Sequence, residues 1–309
     1  MSITLQWVIF HVFLFSALWF DLAVIHKHPE RITTRKALSW AGVWISLALL
    51  FGVGVYFVDG RDKALLYFTG YLIEESLSVD NLFVFYVIFK YFKTPKQYEH
   101  RILFWGILGA LVFRLSFILA GVALLQRFHW LVYVLGAFLV YTAVRLAVSK
   151  DTEVHPDRNI AYRLLQPFMA TKEWESGKLF VRRNGRLMLM PAFVVLAVIE
   201  VTDIVFALDS IPAVLGITRD PFIVYTSNAM AILGLRSLYS AIGKLLVTFQ
   251  YLHHGLAVIL GFVGFKMLAS HWIEVPVQIT LLVVLVVLTS TFISSWWVQK
   301  QRKQRNPPR

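Results

Sequence analysis

Apolar blocks about 20 residues long recur from one end of this 309-residue chain to the other. A helix needs roughly 20 residues to cross a ~30 Å hydrocarbon layer. Hydrophobic residues make up 58% of the chain, above the ~45–50% of ordinary soluble domains. The blocks predict an all-α polytopic membrane protein of about nine transmembrane helices, at 5–25, 38–58, 64–90, 102–124, 130–149, 188–217, 222–247, 254–271 and 276–298. The sixth is long and contains Pro212. The first lacks a basic leading segment and a small-residue cleavage site, so it reads as a retained helix, not a signal peptide. The chain then divides into two N-terminal spans (1–60), a first half (64–149), a loop (150–187), a second half (188–271), a last span (276–298) and a basic tail (299–309).

The net charge is +12. In a soluble protein that would suggest nucleic acid. Here the basic residues collect in alternate connections: 26–37, 90–101, 150–187 and 299–309. The intervening connections carry few. The partner expected is therefore the bilayer, and no nucleic acid. By the positive-inside rule the rich set faces the cytoplasm. Nine spans then leave the N-terminus outside and the C-terminus inside. Loop 150–187 reads as cytoplasmic, with "LFVRRNGRL" anchoring the next helix or touching anionic lipid. The tail "KQRKQRNPPR" reads as disordered. The absence of cysteine excludes disulfides and thiolate metal sites.

Seven acids fall inside spans: Asp21, Glu74, Glu75, Asp80, Glu200, Asp203 and Asp209. Ionisable groups at membrane depth are rare and mark ion or proton paths. All but Asp21 belong to the third and sixth spans, in motifs that echo each other. "EESLSVDN" (74–81) and "DIVFALDS" (203–210) each hold an acid, five residues, an Asp and then a small polar residue. Glu74 matches Asp203, Asp80 matches Asp209, and Asn81 matches Ser210. "GILGAL" (106–111) and "AILGLR" (231–236) give a second echo. Since the third span runs inward and the sixth outward, spans 3–5 and 6–8 are predicted to form an inverted 3+3 repeat. Positions six apart lie about 240° out of phase on a helix. One ion can meet Asp203 and Asp209 together only if the helix breaks, and Pro212 is the candidate for a break. Otherwise the two serve separate sites. Glu200 and Asp203, three apart, share a face.

Carboxylates, an amide, a hydroxyl and freed carbonyls form a hard oxygen set, suited to Mg²⁺, Ca²⁺ or Mn²⁺. The candidate ligands are Glu74, Asp80, Asn81, Glu200, Asp203, Asp209 and Ser210. The acids outnumber what one divalent ion neutralises, which suggests exchange against protons. The plainer alternative pairs the acids with Arg114, Arg145, Arg236, Lys244 or Lys266 and makes them structural; for Asp21 that is the favoured reading. Glu75 and Asn228 could be ligands or mere packing. There is no P-loop, dinucleotide fingerprint or HExxH, and Ser76 and Ser78 lack a nearby His with a carboxylate. No enzymatic activity is expected.

"GYLIEESLSVDNLFVF" (70–85) and "VIEVTDIVFALDSIPAVLGITRDPFIVYTSNAMAILGLRSLY" (198–239) resemble the TerC integral membrane family, and within it the Alx-like bacterial branch. The resemblance runs over roughly 38–298. It implies a bacterial inner-membrane exporter built from inverted repeats, with manganese export, tellurite resistance and alkaline induction as the associated properties. Carried over by motif, its acidic positions are Glu74, Asp80, Glu200, Asp203 and Asp209, beside Asn81 and Ser210. Glu75 stands where the Alx-like branch has Lys, which bears on stoichiometry. The expected function is export of Mn²⁺, with Ca²⁺ the second candidate, in exchange for protons. The alternative is a membrane scaffold or stress protein acting through partners in redox or tellurite handling.

Overall fold

The computed structural model describes residues 2–21, 34–148, 156–171, 174, 178–183, 186–240 and 251–305. The architecture is helical: α1 (Ile3–Phe20), α2 (Thr34–Asp59), α3 (Arg61–Tyr91), α4 (Lys96–Arg127), α5 (Leu131–Val148), α6 (Ile160–Leu165), α7 (Pro191–Leu215), α8 (Pro221–Leu233), α9 (Leu252–Leu268) and α10 (Val277–Arg305). Among the described residues six helices are long and apolar enough to cross a membrane: α1, α2, α4, α5, α7 and α10. α3 has the length, 31 residues, but carries Glu74, Glu75 and Asp80. α8 and α9 are shorter. The outward faces are apolar, and exposed aromatics stand near helix ends at Trp19, Phe57, Trp130 and Trp272, as in the interfacial belts of membrane proteins.

Local chemistry sets the boundaries. Gly60 has φ +93°, a conformation that costs a residue with a Cβ but not glycine, and it turns the chain sharply from α2 into α3. α7 starts with Pro191 in its first turn. α8 starts with Pro221 behind Asp220, whose side chain accepts from Phe222 N (3.0 Å) and Ile223 N (3.4 Å). These are N-terminal devices that satisfy or remove orphan donors. Near this end Gln6 donates to both oxygens of Asp59 (2.9 and 3.0 Å), and Lys63 bridges to Asp220 (2.9 Å). One polar clasp thus joins α1, α2, α3 and the start of α8.

The helix pairings have an order of their own. α3 packs on α8 and α4 on α7; α3 meets α9 and α5 meets α7; α3 meets α7, α4 meets α8 and α5 meets α9. Exchanging α3–α5 with α7–α9 returns these same pairings. The α5–α9 contact is backbone-close. A Cβ added at Gly264 would stand 2.8 Å from Gly136 O and 2.9 Å from Val140 N. Small residues at such a crossing let two helices approach until main chains touch.

Three expectations are corrected here. First, Pro212 does not break the sixth span. It stands in the last turn of α7, so the ladder loses one bond, to the Leu208 carbonyl, and the helix ends at Leu215 anyway. Second, the basic tail continues α10 as helix as far as Arg305. Third, the 150–187 stretch is more than an open loop, although the fold as a whole is helical, as expected. The 150–187 loop folds into α6, two short 3₁₀ turns and an antiparallel hairpin of β1 (Phe180–Arg183) and β2 (Arg186–Leu189), in register Phe180↔Leu189. Asn-Gly at 184–185 between the strands is a hairpin signal. The loop is tied down: Trp174 Nε1 donates to Phe92 O (3.0 Å), and Asn159 Nδ2 donates to Thr202 Oγ1 (3.3 Å). The seventh span begins as α8 and is helical again at 235–240; its expected end at 247, with Lys244, lies outside the described residues.

Candidate functional site

Arg114 of α4 is fully buried, in a segment, "ALVFRLSF", with no other charge. A buried guanidinium is retained only when paired and hydrogen-bonded. Its Nε and Nη2 donate to Asp203 Oδ2 (3.2 Å) and Oδ1 (3.0 Å), the two-pronged geometry that suits Arg and a carboxylate. Its Nη1 donates to Glu74 Oε1 and to Asn228 Oδ1 (3.1 Å). Four helices therefore meet on one cation: α3 through Glu74, α4 through Arg114, α7 through Asp203 and α8 through Asn228. The echoing acids Glu74 and Asp203 converge as their motifs suggest, but on an arginine.

The surroundings hold more polar atoms than the ion pair uses. Glu74 Oε2, Ser78 Oγ, Ser210 Oγ and Asn228 Nδ2 are buried with no hydrogen-bond partner among the described residues. Ser210 lies beside the Glu74 carboxylate without a bond of good geometry. Glu200 sits one turn before Asp203 on α7, close enough to feel its charge. Its carboxylate lies in a notch of α4 made by Gly109; a Cβ there would stand 2.6 Å from Glu200 Oε2. That oxygen too has no partner. Among the described residues Glu200 has no ion-pair partner, and the guanidinium pairs with Glu74 and Asp203 alone.

The other candidates part company. Asp209 leaves the cluster, as its helical phase requires, and accepts from Thr142 Oγ1 of α5 (3.1 Å). Asn81 is buried on α3; the Asp80 side chain lies outside the described residues. Glu75 lies beside Tyr71, one turn earlier on α3. Asp21 pairs with buried Arg236 (2.9 Å), as its structural reading expects, and ties the end of α1 to the helix after Gly234. Between Asp203 and Arg236 a cavity of about 20 Å³ is lined by Phe85, Leu103, Ile107, Ile199, Ile232 and Leu235, room for about one water. Among the described residues no three acids or histidines are grouped to hold a metal ion. The guanidinium occupies the space between Glu74 and Asp203. What the site offers a hard cation is oxygen: Glu74 Oε2, Glu200 Oε2, Ser78 and Ser210.

Sequence reasoning placed Arg114 only among structural partners of the acids. Its signal was there, since an isolated arginine deep in a span implies a buried acidic partner. Asn228 followed the same logic. Gly109 had no signal of its own as the seat of Glu200.

The comparisons agree with this architecture. The profile of the integral membrane protein TerC family matches residues 59–303. A membrane protein of Myxococcus xanthus is 43% identical over 290 residues, 94% of this chain and 91% of its own. A Rickettsia bellii membrane protein is 38% identical over 285 residues, 92% of this chain and 94% of its own. Alx of Escherichia coli K12, whose name describes a membrane-bound redox modulator, is 40% identical over 289 residues, 90% of each chain. No solved structure matches. The apolar helices, the two acidic motifs that meet on Arg114 and a family match that takes in both make this chain a member of the integral membrane protein TerC family.

Proposed function

We propose that this chain is a transporter of the bacterial cytoplasmic membrane that exports a hard divalent cation, Mn²⁺ foremost and Ca²⁺ second, in exchange for protons. Its topology in this reading is nine spans, with the N-terminus outside and the C-terminus in the cytoplasm. The pairings that survive exchange of α3–α5 with α7–α9 support the inverted 3+3 repeat, a layout in which a site forms where the halves meet. One observation carries the proposal: Glu74 and Asp203, matching positions of two echoing motifs, converge at a fully buried point with Glu200 uncompensated beside them. A buried carboxylate is stable only with a cation or a proton. Glu200 is half-buried with its Oε2 enclosed and unpartnered among the described residues, so it gains by taking up one or the other, which is what a cation–proton exchanger requires.

The test is uptake into inverted vesicles across a pH gradient, with Mn²⁺, Ca²⁺, Mg²⁺ and Zn²⁺ compared. Mn²⁺ should accumulate only when the vesicle interior is acidic, and Glu200→Gln and Asp203→Asn should abolish it. Wild-type vesicles that move none of the four ions would sink the proposal.

A second reading is a membrane scaffold acting through partners in redox or tellurite handling. The pairing of Glu74 and Asp203 with Arg114 favours it, as does the name of the Alx relative. Glu200→Gln separates the two, because Glu200 is central to export yet takes no part in that ion pair. Export predicts raised intracellular Mn²⁺ with normally inserted protein. Scaffolding predicts failed folding or unchanged Mn²⁺.

A further inference from the structure

We infer that Arg114 is a tethered cation, seated between Glu74 and Asp203 in place of the transported ion, and that loading the ion frees Glu74 from it while Asp203 keeps its hold. The inference rests on the divalent-cation reading above. The asymmetry of the bonds points to Glu74 as the side that lets go. Asp203 is gripped by two parallel bonds through both oxygens, at 3.2 and 3.0 Å. Glu74 is held through Oε1 alone, and its Oε2 has no partner. If Glu74 is released, the guanidinium still has Asp203 and Asn228 Oδ1 to bond. The opposite release would abandon the two-pronged contact.

The oxygens around Glu74 agree with this choice. Ser78 follows it by one turn on α3, and Ser210 of α7 lies beside its carboxylate. Both serines are almost wholly buried, and neither hydroxyl has a hydrogen-bond partner. A hard cation entering here meets a carboxylate oxygen and hydroxyls from both echoing helices. Arginine suits the tethered role because it stays charged at every working pH. A lysine or histidine could shed its proton and leave Glu74 and Asp203 to repel each other. The ion and the guanidinium thus compete for one carboxylate, and weakening one strengthens the other. Coupling between linked binding events typically reaches 5–150-fold.

The test is equilibrium Mn²⁺ binding to the purified full-length chain, with wild type, Arg114→Gln and Arg114→Lys compared at one pH. Both substitutions should tighten Mn²⁺ binding, the glutamine by roughly tenfold or more and the lysine by less, while transport slows in both. Loss of a nearby positive charge by itself would tighten Mn²⁺ binding in the glutamine variant but not in the charge-keeping lysine variant, so Arg114→Lys separates release of Glu74 from simple repulsion. If Arg114→Gln fails to fold, Arg114→Lys, which keeps the charge, decides. Unchanged or weaker Mn²⁺ binding in the folded variants overturns the inference alone. A wild-type chain that binds no divalent cation overturns both the inference and the transport reading beneath it.

Discussion

Replacing Gly109 with alanine should impair transport without weakening the protein. The added methyl would point into the notch that seats Glu200, 2.6 Å from Oε2 where ordinary contact begins at 3.4 Å. Oε1 lies closer still, so the carboxylate must retreat by more than about 1 Å to regain van der Waals distance. It is the free end of a flexible side chain, so rotation suffices and the backbone need not move. Stability should hold or rise, since alanine is favoured over glycine inside a helix by about 0.8–1.0 kcal/mol. Function has no such slack, because a misplacement of about 1 Å at a reacting group can reduce a rate 10²-fold. Gly264→Ala is the matched control. Its methyl would meet the backbone atoms Gly136 O and Val140 N at 2.8 and 2.9 Å. Neither can step aside, so overpacking should cost about 1–3 kcal/mol. The assays are thermal melting in detergent and Mn²⁺ uptake into inverted vesicles. If Gly109→Ala melts as early as Gly264→Ala, or transports at the wild-type rate, then Glu200 is not positioned by the notch and the reasoning fails.

Three further outcomes can be stated. Arg236→Met leaves Asp21 buried without its guanidinium, so destabilisation of about 3–5 kcal/mol is expected; a loss below 1 kcal/mol would show the pair to be dispensable. Thr142→Val removes the hydroxyl donated to Asp209 and should destabilise by about 1 kcal/mol, leaving Mn²⁺ affinity at the Arg114 cluster unchanged in binding assays. The hydrogen bond to Asp220, opposed by partial burial and aided by the charges of Asp220 and Asp59, raises the Lys63 ammonium above its ordinary 10.5. Its contribution is therefore complete below pH 10.5 and lost as the pH climbs through the higher folded-state value. The stability gap between wild type and Lys63→Met should be small, under about 1 kcal/mol for so exposed a pair, flat through the neutral range, and closing only in strong alkali.

Hydropathy makes the helices legible because burial in lipid demands long apolar runs, and α2, α3 and α5 begin and end within a few residues of their predicted limits. The separation of Asp209 from Asp203 was likewise readable, since helical phase alone forbids a straight helix to aim both at one point. The Pro212 break was misread because the effect of a proline depends on its distance from the helix end, and that end was not known. The hairpin at 180–189 is signalled by Asn-Gly, but its three basic residues read equally well as an interfacial anchor. The seat of Glu200 was beyond reach. A glycine reports only that a side chain is missing, and which neighbour fills the space is decided by how α4 and α7 cross.

The seam where Gly136 and Gly264 bring α5 and α9 together has a mechanical consequence. Main chains in direct touch cannot slide past one another without lifting apart, because the interior has no spare volume to absorb the shift. α5 and α9 are therefore welded, and in the exporter proposed above any rocking that opens first one mouth and then the other must turn about this line as its fulcrum.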